Sequence, residues 1–462
     1  MKTKHYLTIL ALIIFQSTIL SQTHTWTGNG GDNNWFNDNN WDVGSVPSAS
    51  SDVLIPGNFV EVDISETAAQ VNSIEISGST ILNIGNDLQL RGQLYLPTGS
   101  KINWTKGIID GGGTIENGGL IKLESHDDKE LINSNIENNG VISIINSNII
   151  RFSEGTLINN YENARIEIYS NGGIIQDDDG NTINNYGTIR KPGDGSGSLG
   201  SFYMIFDLNN AGTIHIGETQ QFLFLGSDIT FNNLETGVLE GFGAFDITSN
   251  FTNVGTYAPG DDLTCGTLSV YNSFNLSSET ELEFLILGKN PGEYDAIDVA
   301  GFPHLEGNII IHLYFYTEVG DEFQVITANE IMSCNFPETV TAQYQGNEYT
   351  FEIICDDTSV VLKVVDIILG VDEHNSDILF YVQPNPVKDF VNIVFRTSGG
   401  KETANEALSL NIYNSQGREV KTITNFSKQN NSFQKGNLSA GLYILQIKAN
   451  NAVLATTKMV VD

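Results

Sequence analysis

Along most of the chain, hydrophobic and polar residues alternate in short runs, and Gly, Asn or Asp separates one run from the next. Gly78-Ser-Thr-Ile-Leu-Asn-Ile, Leu88-Gln-Leu-Arg-Gly-Gln-Leu-Tyr-Leu and Gly99-Ser-Lys-Ile-Asn-Trp show the pattern. A period of two predicts β-strands with one buried face. No stretch carries a sustained helical period with caps, so the region reads as all-β.

A second pattern is laid over the first. An apolar residue followed by Asn recurs just before a turn and the next strand: Ile115-Glu-Asn-Gly-Gly-Leu-Ile, Asn138-Asn-Gly-Val-Ile-Ser-Ile, Ile158-Asn-Asn-Tyr, Ile183-Asn-Asn-Tyr-Gly-Thr-Ile, Leu208-Asn-Asn-Ala-Gly-Thr-Ile, Phe231-Asn-Asn-Leu and Phe251-Thr-Asn-Val-Gly-Thr-Tyr. With the pairs taken to begin at 116, 138, 159, 184, 209, 232 and 252, the steps are 22, 21, 25, 25, 23 and 20 residues. A period of this size marks a solenoid, in which each unit buries its apolar face only against the next. In a parallel β-helix equivalent turns stack one strand spacing apart. An inward Asn then bonds its copies above and below, the apolar residue before it fills the interior, and the following Gly supplies a positive φ.

Composition changes the picture in two ways. The 462-residue chain carries 56 Asp and Glu against 22 Lys and Arg. Such a surface repels nucleic acid and anionic lipid, and neither is expected as a partner. The imbalance stops at residue 371: beyond it lie nine basic and eight acidic side chains, which leaves 13 against 48 before it. The tail is a separate unit.

The remaining segments follow in order. Residues 1–21, with Lys2, Lys4 and the apolar run Leu7 to Phe15, read as a secretory signal peptide cut after Ser21. Residues 22–69 hold Trp26, Trp35 and Trp41 among Gly, Asn and Asp. They read as an aromatic cap for the open end of the stack, with a sugar-binding platform as the alternative. Residues 70–255 are the repeats, 256–368 a β-rich end cap, 369–376 a linker and 377–462 the tail. No segment has the length of a transmembrane helix. Cys334 and Cys355 suit a bridge in an exported chain, which would leave Cys265 over; spacing alone leaves this open.

The cap and repeats resemble known proteins in pattern. The Trp-rich leader is similar to that found ahead of many bacterial surface β-helices. Across about 70–366, the Pro-Gly turn at 259–260, Gly266-Thr-Leu, Tyr294-Asp-Ala-Ile-Asp-Val, Leu305-Glu-Gly and Gly320-Asp-Glu-Phe-Gln-Val-Ile resemble the end of autotransporter-type passenger domains. That resemblance implies a right-handed parallel β-helix with a more open β cap, and no activity.

In the tail, seven short strands (377–382, 390–396, 408–413, 419–424, 432–434, 442–448 and 453–461) suggest a small immunoglobulin-like β-sandwich. Three ordered motifs lie among them: Gln383-Pro-Asn-Pro-Val-Lys-Asp, Ile412-Tyr-Asn-Ser-Gln-Gly-Arg-Glu-Val and Leu438-Ser-Ala-Gly-Leu-Tyr-Ile-Leu-Gln-Ile, followed by Lys458-Met-Val-Val-Asp462. Pro384 and Pro386 are expected to stiffen the entry into the first strand, Asn414 to Gly417 to form a hairpin turn, and Gly441 to admit a close turn. Together these resemble the type A C-terminal sorting domain of the type IX (Por) secretion system of Bacteroidetes-type bacteria. By that resemblance Pro384, Asn385, Pro386, Tyr413, Gly417, Gly441, Leu442, Tyr443 and Lys458 carry the sorting signal, and the secretion machinery is the partner. The implied route runs through the periplasm to secretion or to the outer-membrane surface. Family members commonly end in basic residues, whereas this chain ends in Asp462.

Candidate chemistry is sparse. β-Helices host lyases and glycosidases, whose carboxylates or bases must converge from neighbouring coils. Before residue 371 there are four Arg (Arg91, Arg151, Arg165, Arg190), and Arg165 and Arg190 differ in phase. Asp177, Asp179 and Asn181 have the alternating oxygens of a calcium loop but lack its distal Glu, so a solvated turn is the stronger reading. Asp261, Asp262 and Asp295 suit a cation or turns equally, and Glu124 to Glu130 reads as a protruding loop with His126 exposed. No catalytic triad or other cofactor site emerges. The function expected is an adhesin or interaction protein of unknown glycan or protein ligand, with a polysaccharide-active enzyme as the alternative.

Overall fold

A computed structural model describes residues 22–57, 60–146, 149–193, 200–274, 276–369, 378–397, 408–426, 431–449 and 452–462. The signal-peptide reading of residues 1–21, and all of the expected linker except Leu369, lie outside the described residues. The described chain divides into two compact units, one reaching Asp366 without the 343–349 hairpin tip, and one holding 367–462 with that tip.

The first unit is a parallel β-solenoid in which each coil contributes one strand to each of three sheets. The first sheet has eleven strands, from Gln22–Thr25 to Asn250–Asn253. The second has twelve, from Val60–Ile64 to Asn308–Leu313, and the third starts at Ala69–Val71. Parallel pairing begins at residue 22, within the Trp-rich segment, where Gln22–Thr25 pairs with Ser51–Leu54. After Asn253 the first sheet stops while the other two continue. The third passes Glu322–Ala328 and ends in antiparallel strands Ser359–Ile368, Asn347–Cys355 and Thr339–Tyr344. One 3₁₀ turn, Asp38–Asn40, is the helix among the described residues, and none there is long and apolar enough to cross a membrane.

Alternation is why the strands stack. Ile115, Ile136, Ile158, Ile183, Leu208, Phe231 and Phe251 share one register column and are all buried. Each such side chain contributes about 1.5–3 kcal/mol by leaving water, and only a neighbouring coil provides the cover. The Trp residues do the same at the first coil. Trp26, Trp35 and Trp41 are buried edge to face, 5.1 and 4.8 Å apart, with the Trp41 indole N–H donating to Trp35 O, so they offer no exposed platform.

Register corrects the reading of the Asn pairs. The buried column is Asn117, Asn138, Asn160, Asn185, Asn210, Asn233 and Asn253, so Asn138 aligns with the second member of each later pair, and Glu137 takes the outer place. Asn139 lies past the strand. The glycines after these pairs also act differently from expectation. Gly119, Gly140, Gly187, Gly212, Gly237 and Gly255 have no positive φ; a Cβ on Gly212 would stand 2.1 Å from Gly187 O. Close approach of successive backbones at the corner is what demands glycine.

Cys334 and Cys355 are bridged, with Cα atoms 6.5 Å apart, and Cys265 is free and half-buried.

The second unit holds the seven strands expected of the tail, in two antiparallel sheets. One orders Ile378–Gln383, Phe390–Thr397 and Ser432–Gln434; the other orders Glu419–Phe426, Leu408–Asn414, Gly441–Ala449 and Ala452–Val461. Val387, Val391, Ile393, Leu410, Leu445 and Met459 are among its fully buried core.

Candidate functional site

Two places carry chemistry: the motif residues of the tail and the outer faces of the solenoid.

In the tail, the Pro-Asn-Pro segment follows the first strand rather than leading into it, and it docks on the end of the chain. The Asn385 side-chain oxygen accepts from Val460 N at 2.8 Å, Val387 N donates to Val460 O at 2.8 Å, and Asp462 N donates to Val387 O at 3.0 Å. The terminal strand, an open sheet edge elsewhere along its length, is covered there. Pro384, Asn385 and Pro386 stay exposed. The hairpin turn is as expected: Gly417 has φ +75°, and Asn414 accepts from Gln416 N and Arg418 N. Gly441 opens its strand at φ +151°.

The other motif residues divide by depth. Tyr443 is buried and its hydroxyl donates to Ser439 O at 2.8 Å, while Lys448 Nζ donates to the Tyr413 hydroxyl oxygen at 2.7 Å. Leu442 faces Val460 across the sheet with both exposed, and Lys458, opposite Ile444, is exposed too. Residues 381–462 match the secretion system C-terminal sorting domain family. The tail is a sorting domain. A sorting domain of this type IX kind implies interaction with that secretion machinery, and secretion with release or attachment at the cell surface. The family match covers the sorting domain alone, and no curated protein matches the chain.

On the solenoid, the candidate calcium residues are put to separate uses. Asp177 pairs with Arg151 at 2.8 Å, and Asp178 accepts from Glu154 N. Asn181 turns inward, fully buried, accepting from Thr156 N and donating to Asp178 O, and Asp179 stays exposed. Asp261 likewise accepts from Leu263 N and Thr264 N within its own turn. Asp295 is 2% exposed, its two oxygens accept from Gly266 N and Leu285 N at 2.7 Å, and burial pushes its carboxyl up to about 7. Among the described residues no group of three or more His, Cys, Asp or Glu is placed to hold a metal ion.

The second sheet brings together residues that the spacing hid. Glu167, Arg190, His215 and Glu240 form one outward column on successive coils. His215 Nδ1 lies 2.9 Å from a Glu240 oxygen, and His312 Nε2 lies 3.3 Å from Glu283. A cavity of about 600 Å³ runs beside this column, lined by Thr213, Glu240, Asp261, Glu283, His312 and Tyr314 among others. A second, of about 440 Å³, shares Asp261 and takes in Arg190, His215 and Phe242. Arg190 and His215 stand five residues after their inner Asn, but Glu240 stands seven after Asn233, because the turn there is two residues longer. Counting from the inner column was the signal that could have found them. Arg165 sits two positions from this column on the same outward face, opposite Thr188 rather than Arg190, so the two differ in place along the strand and not in face.

Proposed function

We propose that this protein is an exported adhesin or interaction protein, which works outside the cell as a binding scaffold. The sorting domain supports the destination. The observation that supports binding is the polar groove of about 600 Å³ along the second sheet, because a stack of coils repeats its outer columns over a long face. Removal of residues 377–462 is expected to leave the protein inside the cell envelope; surface display or secretion of that truncation would sink the sorting part. For the binding part, the full chain should retain a glycan or protein ligand on an array without forming product.

A second reading, a polysaccharide lyase or glycosidase, draws on the ionisable side chains that several coils bring to the same groove. Product release from a retained polysaccharide would favour it over binding.

A further inference from the structure

Resting on the binding reading, we infer that the second-sheet groove past His215, Glu240 and Glu283 takes a neutral, linear glycan. Much of the groove's ionisable chemistry is held in donor and acceptor pairs, and the exposed Asp262 and Arg190, one of each sign, line it without an ion pair or hydrogen bond among the described residues. Glu240 is engaged by His215 and Glu283 by His312. One Asp261 oxygen closes its turn, and both Asp295 oxygens are held by main-chain N–H groups. Few carboxylates are therefore left for ammonium groups. The acidic balance of the chain before residue 371, 48 against 13, repels polyanions. A sugar hydroxyl both donates and accepts, and an imidazole beside a carboxylate offers it both partners.

His215 independently points to a ligand. The residue is 9% exposed, Nδ1 is held by Glu240, and Nε2 has no protein partner among the described residues where the side chain lines the second cavity. Arg190, one coil before it, makes no ion pair or hydrogen bond among the described residues. Apolar contact is supplied by Phe242 and by Tyr314, which is 58% exposed. The groove follows the solenoid axis from Thr188 to His312, six consecutive strands of the second sheet, a span of about 24 Å at one strand spacing per coil. An extended chain fits that shape better than a compact molecule does.

The test is an array of neutral glucans, mannans and xylans beside uronans, amine-bearing glycans and oligolysine, probed with the full chain and followed by titration calorimetry on the best ligand. A neutral polysaccharide should bind. Glu240→Gln and Tyr314→Ala should each weaken it about tenfold or more, while Tyr186→Ser, in the exposed turn between the first and second sheets and outside the groove lining, leaves affinity within about twofold. Tyr314 is exposed, so its variant separates lost binding from lost folding. Preference for uronans, amine-bearing glycans or oligolysine overturns the inference, as does full affinity in both groove variants; binding that maps elsewhere leaves the broader binding reading standing. Absence of any ligand on both glycan and protein arrays removes both.

Discussion

Asn184 and Asn185 are adjacent in sequence and chemically identical, yet one belongs to the outside of the solenoid and the other to its sealed corner. The inner amides run as an unbroken chain: Asn117, Asn138, Asn160, Asn185 and Asn210 each donate to the next Asn at 2.6–2.7 Å, and Asn233 donates to Asn253. Several give their second hydrogen to a main-chain carbonyl, as Asn160 does to Thr188 O at 3.3 Å. The outer amides run the other way, Asn232 to Asn209 to Asn184 to Asn159, and the row gives way to Glu137 at one end and Thr252 at the other. Substitution is tolerated outside because water replaces a lost partner. Inside, a missing amide strands two neighbours in a dry corner.

The largest effect therefore belongs to the inner column. Asn160→Ala removes the acceptor of Asn138 and the donor to Asn185, and is expected to cost about 4 kcal/mol, since each buried group left unpaired costs about 1–3 kcal/mol. Hydrogen exchange should show lost protection in the coils between residues 135 and 188. A cost below about 1 kcal/mol would mean that the interior apolar column alone sets the register. Gly212→Ala tests the same corner from the backbone side. Its Cβ would meet Gly187 O at 2.1 Å, so the coils must separate locally, and about 3 kcal/mol is expected in denaturant unfolding.

Sequence pattern alone carries the architecture because a solenoid repeats its instructions: an apolar residue two places before the inner Asn recurs seven times, and a Gly follows in six of those coils, with Ala164 at the corner of the other. The tail was legible for another reason, since its seven strands are separated by strong turn residues. Phase is not legible in the pattern. Asn138-Asn139 looks like every other pair, but its first member is the inner one, and only pairing with Asn117 and Asn160 reveals it. The role of the glycines is not legible because a sequence shows turn preference and not how closely successive backbones pass. Lys129 shows the same blindness for burial. It sits in a run that looks like a solvated loop, yet it is fully buried, its ammonium donating to Asp127 O at 2.9 Å, and burial lowers its pKa. The groove stayed hidden because turns of unequal length put Arg190, His215 and Glu240 at unequal sequence offsets.

Asp295 sharpens the contrast between neutral and ionisable buried groups. The Asn ladder does not titrate, so the cost of Asn160→Ala should be the same at pH 5 and pH 7.5. Asp295 has a folded-state pKa raised to about 7, mainly by desolvation, above its ordinary value of 3.8. The folded state then binds the proton more tightly than the unfolded chain. Its contribution is fully present below about pH 4 and fades as pH rises through 7. Between pH 5 and 7.5 this loss is on the order of 2–3 kcal/mol. Unfolding measured across that range should fall more steeply for the wild type than for Asp295→Asn; parallel curves would refute the assignment.

The smallest effect belongs to the outer row, and it decides whether the comparison holds. Asn184 donates to Asn159 and accepts from Asn209, the same two-bond arrangement as an inner Asn. If hydrogen-bond count set the energy, Asn184→Ala would cost as much as Asn160→Ala. If burial sets it, solvent satisfies Asn159 and Asn209 after the change, and the cost falls to about 0.5 kcal/mol. The pair of variants, measured in one denaturant series, separates the two accounts. Equal costs would move the register information from the sealed corner to the ladders as such, and would make the outer row structural rather than a surface free to vary.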